Sequence, residues 1–323
     1  MSKVLWMLAD NRRGSVNQAL GVIDALDKNN FDVIEKKIEY NCLASLPNCL
    51  RGRSLLGITA ESRRQLTAPY PDMVLSVSRR TAPVARYIKK KSPQTKLIQL
   101  MHPGNSCLED FDLIIVPEHD RNKKSAHGTH YIIGCPHRVT KDYLDQARSR
   151  WQEEFSDLPR PLTAVIIGGA IKGGVFSRGN AEMLGSAIKK LKQKIGGSLL
   201  LTTSRRTGAE AQNIILQQLN SIPRYTYLWG DTKENPYAGF LACADNIIVT
   251  ADSVSMCCEA TASGKPVFLF TGKDWLTPKH MRFAQSLCNG GYAVMIDDDK
   301  ADKFFPQNHI NAAAEVAELI ERL

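Results

Sequence analysis

The chain has 323 residues, 43% of them hydrophobic and 23% charged, with a formal net charge of +9. That composition describes a soluble globular protein long enough for two domains of ordinary size. It excludes a membrane-spanning chain, because no apolar run approaches the ~20 residues a bilayer-crossing helix needs.

The opening stretch Met1–Asp10 runs straight into a strand pattern and lacks the features of a signal peptide. The eight cysteines contain no Cys-x-x-Cys pair and no zinc-like spacing. A cytoplasmic chain with reduced cysteines and no bound metal is expected. The charge is uneven: residues 1–155 carry 24 Lys and Arg against 17 Asp and Glu, net +7, and the remainder nets +2. A basic first half favours an anionic partner, either an acidic acceptor or an anionic membrane surface at the inner face. A solvated surface without a specific role is the alternative. No RNP, zinc-finger or helix-turn-helix signature occurs, so nucleic acid is not an expected partner.

The first predicted strand is Val4 to Leu8. Asp10, Arg13, Gly14, Asn17 and Gln18 follow it, with Gly14 read as a tight turn and a helix running to about Leu26. The basic segment Leu43 to Leu66, with Arg51, Arg53, Arg63 and Arg64, reads either as irregular connecting helices or as a surface that meets membrane or acceptor. Met73 to Val77 is a strand ending in Ser78-Arg79-Arg80, and a helix is expected from about Pro83 to Lys90. Two adjacent arginines at a strand end can clamp a phosphate or carboxylate. Lys96 to Met101 ends in His102, and Phe111 to Val116 ends in Pro117-Glu118-His119-Asp120. Four strand ends with polar clusters converge on one edge of a parallel sheet, where open α/β folds bind ligands.

Two prolines near Leu158 to Pro161 mark the expected linker. The βα alternation then restarts. Ala164 to Ile167 leads into a turn beginning Gly168-Gly169, which is neither a Walker A loop nor Gly-x-Gly-x-x-Gly. Ser198 to Thr202 ends in Thr203-Ser204-Arg205-Arg206-Thr207, whose hydroxyls and guanidiniums suit a diphosphate. Ile247 to Val249 ends in Asp252-Ser253-Val254-Ser255, which opens a helix carrying Glu259 in its first turns. A hydroxyl-rich helix start suits a phosphate, and an early glutamate can accept from a ribose hydroxyl. The plain alternative is an N-cap before a structural helix. The tail from Asn311 is amphipathic. Two βα-alternating halves predict an α/β protein of two Rossmann-like domains, each with a parallel sheet, facing a ligand cleft.

Taken together, Trp6-x3-Asp10-x3-Gly14-x2-Asn17-Gln18, Pro71-Asp72 with Ser78-Arg79-Arg80, Pro117-Glu118-His119-Asp120, Thr203 to Thr207, and Asp252 to Met256 with Glu259 and Gly264-Lys265-Pro266 resemble the mitochondrial-fission ELM (elongated mitochondria) family, in its bacterial form. The likeness covers nearly the whole chain. Ser78-Arg79 departs from it, since Gly-Arg is expected there. The family is similar to GT-B glycosyltransferases, and its plant members are linked to mitochondrial division through recruitment of a dynamin-like protein.

The resemblance implies an N-terminal acceptor domain over 1–157, a C-terminal donor domain over 158–307, and a final helix over 308–323 packing back on the first domain. It implies a metal-independent transferase that needs no cofactor and takes a nucleotide-diphosphate sugar as substrate, with an acidic or lipid-linked glycan as acceptor. Gly168, Gly169, Ser204, Arg205, Arg206, Asp252, Ser253, Ser255 and Glu259 would hold the nucleotide. Arg13, Gly14, Gln18, Arg79, Arg80 and His102 would face the acceptor. Asp10 is the first candidate for the base that deprotonates the acceptor hydroxyl, with Glu118 and His119 as alternatives. A non-catalytic scaffold on the same frame is the competing reading. A third reading, an epimerase acting on a nucleotide sugar, is disfavoured, because the chain lacks the required combination of a Gly-x-x-Gly-x-x-Gly turn and a Tyr-x-x-x-Lys pair.

Overall fold

Each half of the chain builds its own six-stranded, fully parallel sheet in the computed structural model. The structure describes residues 2–10, 12–121, 125 and 127–323, except for the side chain of residue 13. In chain order the first sheet arises from β1 (Lys3–Ala9), α1 (Arg13–Ala25), β2 (Phe31–Lys37), α2 (Asn48–Arg51), α3 (Ala60–Arg64), β3 (Met73–Val77), α4 (Ser78–Lys91), β4 (Lys96–Leu100), β5 (Leu113–Pro117) and β6 (Thr129–Ile132). The second arises from α5 (Lys141–Trp151), β7 (Leu162–Ile167), α6 (Arg178–Ile195), β8 (Ser198–Thr203), α7 (Ala209–Gln218), β9 (Arg224–Tyr227), α8 (Tyr237–Cys243), β10 (Asn246–Thr250), α9 (Val254–Ala262), β11 (Val267–Phe270), α10 (Pro278–Asn289) and β12 (Val294–Met295). The last helix is α11 (Ala312–Glu321).

The central strands read as unbroken apolar runs because helices cover both faces of a parallel sheet. Val165 and Ile167 of β7, with Leu199 and Leu201 of β8, point to the same face at period two and pack on Leu184 and Ile188 of α6. Trp6, Leu8, Val74 and Ile114 do the same beneath Val84 and Ile88 of α4.

The strand order is β2-β1-β3-β4-β5-β6 in the first sheet and β12-β11-β10-β7-β8-β9 in the second. In each, the chain leaves its first strand in one direction and later returns to the other side. The order therefore reverses between β1 and β3, and between β7 and β10. A crevice opens beyond the strand C-termini at such a reversal. The residues that end these four strands are Asp10, Ser78, Gly168 and Asp252.

The chain divides into Met1–Arg138 with Asn311–Leu323, and Val139–Ile310. This division falls earlier than the proline-rich segment near 158. The reason is that the segment before those prolines belongs to the second core: the Phe155 ring lies 5.1 Å from Tyr225 and 5.6 Å from Phe240. Within the first unit, α11 packs on α1, and Glu321 accepts from the Asp27 backbone at 3.1 Å.

Two helical expectations change. Gly14 lies inside α1, not in a turn before it. Helix α4 starts at Ser78 and carries Pro83 within it. A proline there cannot donate to the carbonyl four residues back, that of Arg79. The Asn48 side chain supplies the missing donor, binding the Arg79 carbonyl at 2.8 Å and the Pro103 carbonyl at 2.7 Å.

Candidate functional site

In the second unit, the turns after β7, β8 and β10 bind one another. Asp252 is buried and accepts from the Gly169 N–H at 2.9 Å and the Thr250 hydroxyl at 2.7 Å. Its carboxylate also pairs with Arg206 Nη1 at 2.8 Å. Gly168 N–H donates to Thr250 Oγ1 at 2.7 Å. Ser204 Oγ donates to the Gly168 carbonyl at 2.8 Å, and Thr207 Oγ1 donates to the same carbonyl. A Cβ at Gly168 would overlap the Asp252 carboxylate, and one at Gly169 would overlap the Arg206 backbone. Close approach of the three turns is what requires these glycines.

This geometry changes the reading of several residues. The Gly168 and Gly169 N–H groups are satisfied inside the protein and do not point free donors at a phosphate. Asp252 is a bracket that holds the turns and neutralises Arg206, and a carboxylate repels a phosphate. Burial raises the Asp252 pKa, opposed by its hydrogen bonds and by Arg206.

The other polar groups at this edge are exposed Arg205, half-buried Ser255 and the start of α9. Ser253 caps α9, accepting from the Met256 N–H at 3.5 Å. One turn further on, Glu259 is half-buried and accepts from the Tyr237 hydroxyl at 2.5 Å. Burial raises its pKa, with the Tyr237 bond opposing.

His280 of α10 is a group the sequence reading missed. It is half-buried, bonds Thr277 Oγ1 at 2.8 Å, and sits within electrostatic reach of Asp252 and Arg206. Burial, then Lys279, lowers its pKa. Its sequence signal was Thr277-Pro278, an N-cap followed by a first-turn proline.

In the first unit, Asp10 is buried at the end of β1 and accepts from Ser78 Oγ at 3.2 Å. Arg80 Nη1 lies 3.7 Å from its other oxygen, and the Arg80 guanidinium stacks 3.7 Å from the Tyr40 ring centre. Ser78 has a φ of +71°, a left-handed conformation that favours glycine. This explains why glycine is expected at this position. Arg79 is exposed beside Gly104, and His102 Nδ1 accepts from the Gly104 N–H at 3.1 Å. Gly14 and Gln18 share one face of α1, one turn apart, with open space where a Gly14 Cβ would stand. The Arg13 side chain lies outside the described residues.

The structure thus brings Asp10, Ser78 and Arg80 together at the β1/β3 reversal. Glu118 and His119 follow β5, two strands beyond β3 and so ~10 Å along the sheet. His119 is buried there, and Glu118 makes a two-pronged exposed pair with Arg121 at 2.7 Å. Both therefore lie away from the β1/β3 reversal, where Asp10 stands. Among the described residues no group of three or more His, Cys, Asp or Glu side chains is placed to hold a metal, and no helix is long and apolar enough to cross a membrane.

A reversal crevice in each of two parallel-sheet units is the arrangement of GT-B proteins, and comparison with solved structures agrees. MurG of Acinetobacter baumannii matches with a TM-score of 0.56 at 15% identity, covering 99% of this chain and 100% of that one. UDP-GlcNAc 2-epimerase of Methanocaldococcus jannaschii matches with a TM-score of 0.60 at 12% identity, covering 99% and 100%. The chain belongs to the mitochondrial fission ELM1 family, whose profile matches residues 13–323. An uncharacterized Rickettsia prowazekii protein, RP120, is 30% identical over 98% of this chain and 97% of its own length. Mitochondrial fission protein ELM1 of Arabidopsis thaliana is 29% identical over 82% of this chain and 67% of its own.

Proposed function

We propose that this protein binds a nucleotide-diphosphate sugar through its second unit and transfers the sugar, without a metal, to an acceptor held by the first. The observation that carries the reading is Glu259, a half-buried carboxylate on α9 beside the β7/β10 crevice. A carboxylate in that place suits a ribose diol, with the Tyr237 hydroxyl fixing one of its oxygens. Arg205 and the first turn of α9 are the groups that suit a diphosphate. The likeness to MurG and to a UDP-GlcNAc epimerase supports a sugar nucleotide as ligand. Asp10 is the base in this reading, and the basic first half suits an acidic or lipid-linked acceptor with peripheral contact to an anionic membrane.

A second reading is favoured by the bracket around Asp252. It uses up donors that a phosphate turn would otherwise offer. A binding or scaffold protein on the same frame fits that observation, and it fits the name of the Arabidopsis relative. The likeness to a UDP-GlcNAc 2-epimerase supports keeping epimerisation of a sugar nucleotide as a third outcome, although the absent motif combination disfavoured it.

The test is thermal stability of the full chain against UDP-, GDP-, ADP- and CMP-sugars. A ligand at ~100 times its dissociation constant adds about 2.7 kcal/mol. The expected result is a shift with one nucleotide class, lost in Arg205→Ala and Glu259→Ala. Product analysis with the stabilising sugar then separates transfer from epimerisation. No shift across the panel rejects the nucleotide reading in favour of the scaffold.

A further inference from the structure

The first unit holds a cation that its own residues leave unmatched. Arg51 lies in the basic segment read either as connecting helices or as a surface for membrane or acceptor, and it is 1% exposed. Its Nη2 donates to the Arg80 carbonyl at 3.2 Å, which sets the guanidinium against the first turn of α4. Its Nε and Nη1 have no hydrogen-bond partner. Among the described residues no carboxylate is ion-paired with it, and the cations that act on it are Arg79 and Arg80. A Cβ at Gly57 would overlap the Arg51 guanidinium, so the backbone there is shaped around this side chain.

Around Arg51 the surroundings are also positive. Helices α1 and α4 begin on either side of the β1/β3 reversal, and neither has a side-chain cap at its N-terminus. Their first N–H groups and dipoles favour an anion. The Tyr40 hydroxyl is buried without a partner, within electrostatic reach of Arg12, Arg51 and Arg80. Asp10 is the one carboxylate that acts on Tyr40 in this cluster, against three arginines. A buried unpaired charge is strongly unfavourable unless something neutralises it.

We propose that the β1/β3 edge of the first unit is a phosphoryl-binding site. Arg51 is its fixed buried charge, Arg79 and Arg80 are its contacting cations, and the first turns of α1 and α4 supply backbone donors. A dianion matches the excess of cations better than a single carboxylate does. The inference deepens the acceptor half of the proposed function by naming the acceptor's chemical class. Its test uses phosphate alone, so it stands or falls separately from nucleotide binding.

The experiment titrates inorganic phosphate into the full chain at low ionic strength, with chloride as control, and reads affinity and melting temperature. Wild type should bind. Arg80→Ala and Arg79→Ala should each weaken binding at least tenfold, and Arg322→Ala, at the exposed end of α11, should leave it unchanged. Arg51→Met is the sharper variant. Removing an unmatched buried cation should raise the melting temperature without phosphate and abolish the rise that phosphate gives the wild type. A purely structural Arg51 would instead lower the melting temperature in both buffers.

A parallel arm tests capture by phosphatidylcholine vesicles with and without phosphatidic acid. Capture that phosphate competes away assigns the group to a lipid, and no capture assigns it to a soluble ester. Absence of phosphate binding, or binding lost in Arg205→Ala and kept in Arg80→Ala, overturns the proposal.

Discussion

The two sheet edges share one topology and treat their charges in opposite ways. At β7/β10, Asp252 gathers Arg206, Thr250 and the Gly169 N–H into a closed set. At β1/β3, Asp10 is shared by Ser78 and Arg80, while Arg51 behind them has no ion-paired carboxylate among the described residues. The starts of the following helices differ too: Ser253 caps α9, whereas α1 and α4 have no side-chain cap. The comparison teaches that a topological reversal supplies a place for a ligand and says nothing about its charge balance. That balance depends on whether a neighbouring turn carries its own carboxylate.

The largest effect should come from opening the closed set. Asp252→Ala leaves the Gly169 N–H unpaired and takes the counter-charge from partly exposed Arg206, and a buried group left unsatisfied costs about 1–3 kcal/mol, more where a charge is involved. Urea denaturation should show this loss for Asp252→Ala and a smaller one for Asp252→Asn, which keeps an acceptor. If Asp252→Ala is as stable as wild type, the carboxylate is not the bracket described and the contrast between the two edges fails.

The next effect belongs to the other edge. Asn48→Ala removes the donor that stands in for the one Pro83 lacks, and an unsatisfied buried carbonyl costs about 1–3 kcal/mol. Pro83→Ala restores a backbone N–H to α4. In a double-mutant cycle, Asn48→Ala should therefore be milder in the Pro83→Ala background. Equal costs in both backgrounds would mean that the Pro103 contact, not the helix, accounts for Asn48.

These two sites also show what the sequence could and could not convey. Strands were legible because buried parallel strands are short apolar runs between turn residues; Met73 to Val77 and Val267 to Phe270 stand as read. The polar strand-end clusters were legible for the same reason, since the topology puts every βα turn on one edge. Edge strand β6, Thr-His-Tyr-Ile, went unread because its side chains are only partly buried and lack an apolar pattern. Helix α4 was read as starting five residues late because proline usually opens a helix, and nothing local shows that Asn48, 31 residues away, repairs the gap. That Arg51 and Asp252 are buried was not legible, for one reason. A charged residue at the end of a helix or in a turn looks alike in the sequence whether it faces water or is buried, and only packing decides between them.

A third prediction concerns pH. Burial raises the folded pKa of Glu259. Ionising it is then harder in the folded chain than in the unfolded one. The resulting penalty is absent well below the ordinary glutamate value of ~4.3, grows as pH rises through it, and is complete above the folded pKa. Glu259→Gln carries no such penalty and can still accept from Tyr237. Its stability relative to wild type should therefore improve as pH rises through this window. A difference independent of pH would mean that the carboxylate reaches water.

The smallest effect tests whether the β1/β3 edge tolerates strain in order to hold Asp10. Ser78 has a φ of +71°, which costs a non-glycine residue about 1–3 kcal/mol. Its hydroxyl bond to Asp10 returns about 0.5–1.5 kcal/mol, more if the charged acceptor strengthens it. Ser78→Ala keeps the strain and loses the bond, so it should destabilise by about 1 kcal/mol. Ser78→Gly loses the bond and relieves the strain, so it should fall within about 0.5 kcal/mol of wild type, set by two opposed terms of similar size. If Ser78→Ala and Ser78→Gly are equally destabilised, the backbone conformation is not a burden. The serine would then be there for its hydroxyl alone, and Asp10 would depend on Ser78 for its orientation more than on Arg80.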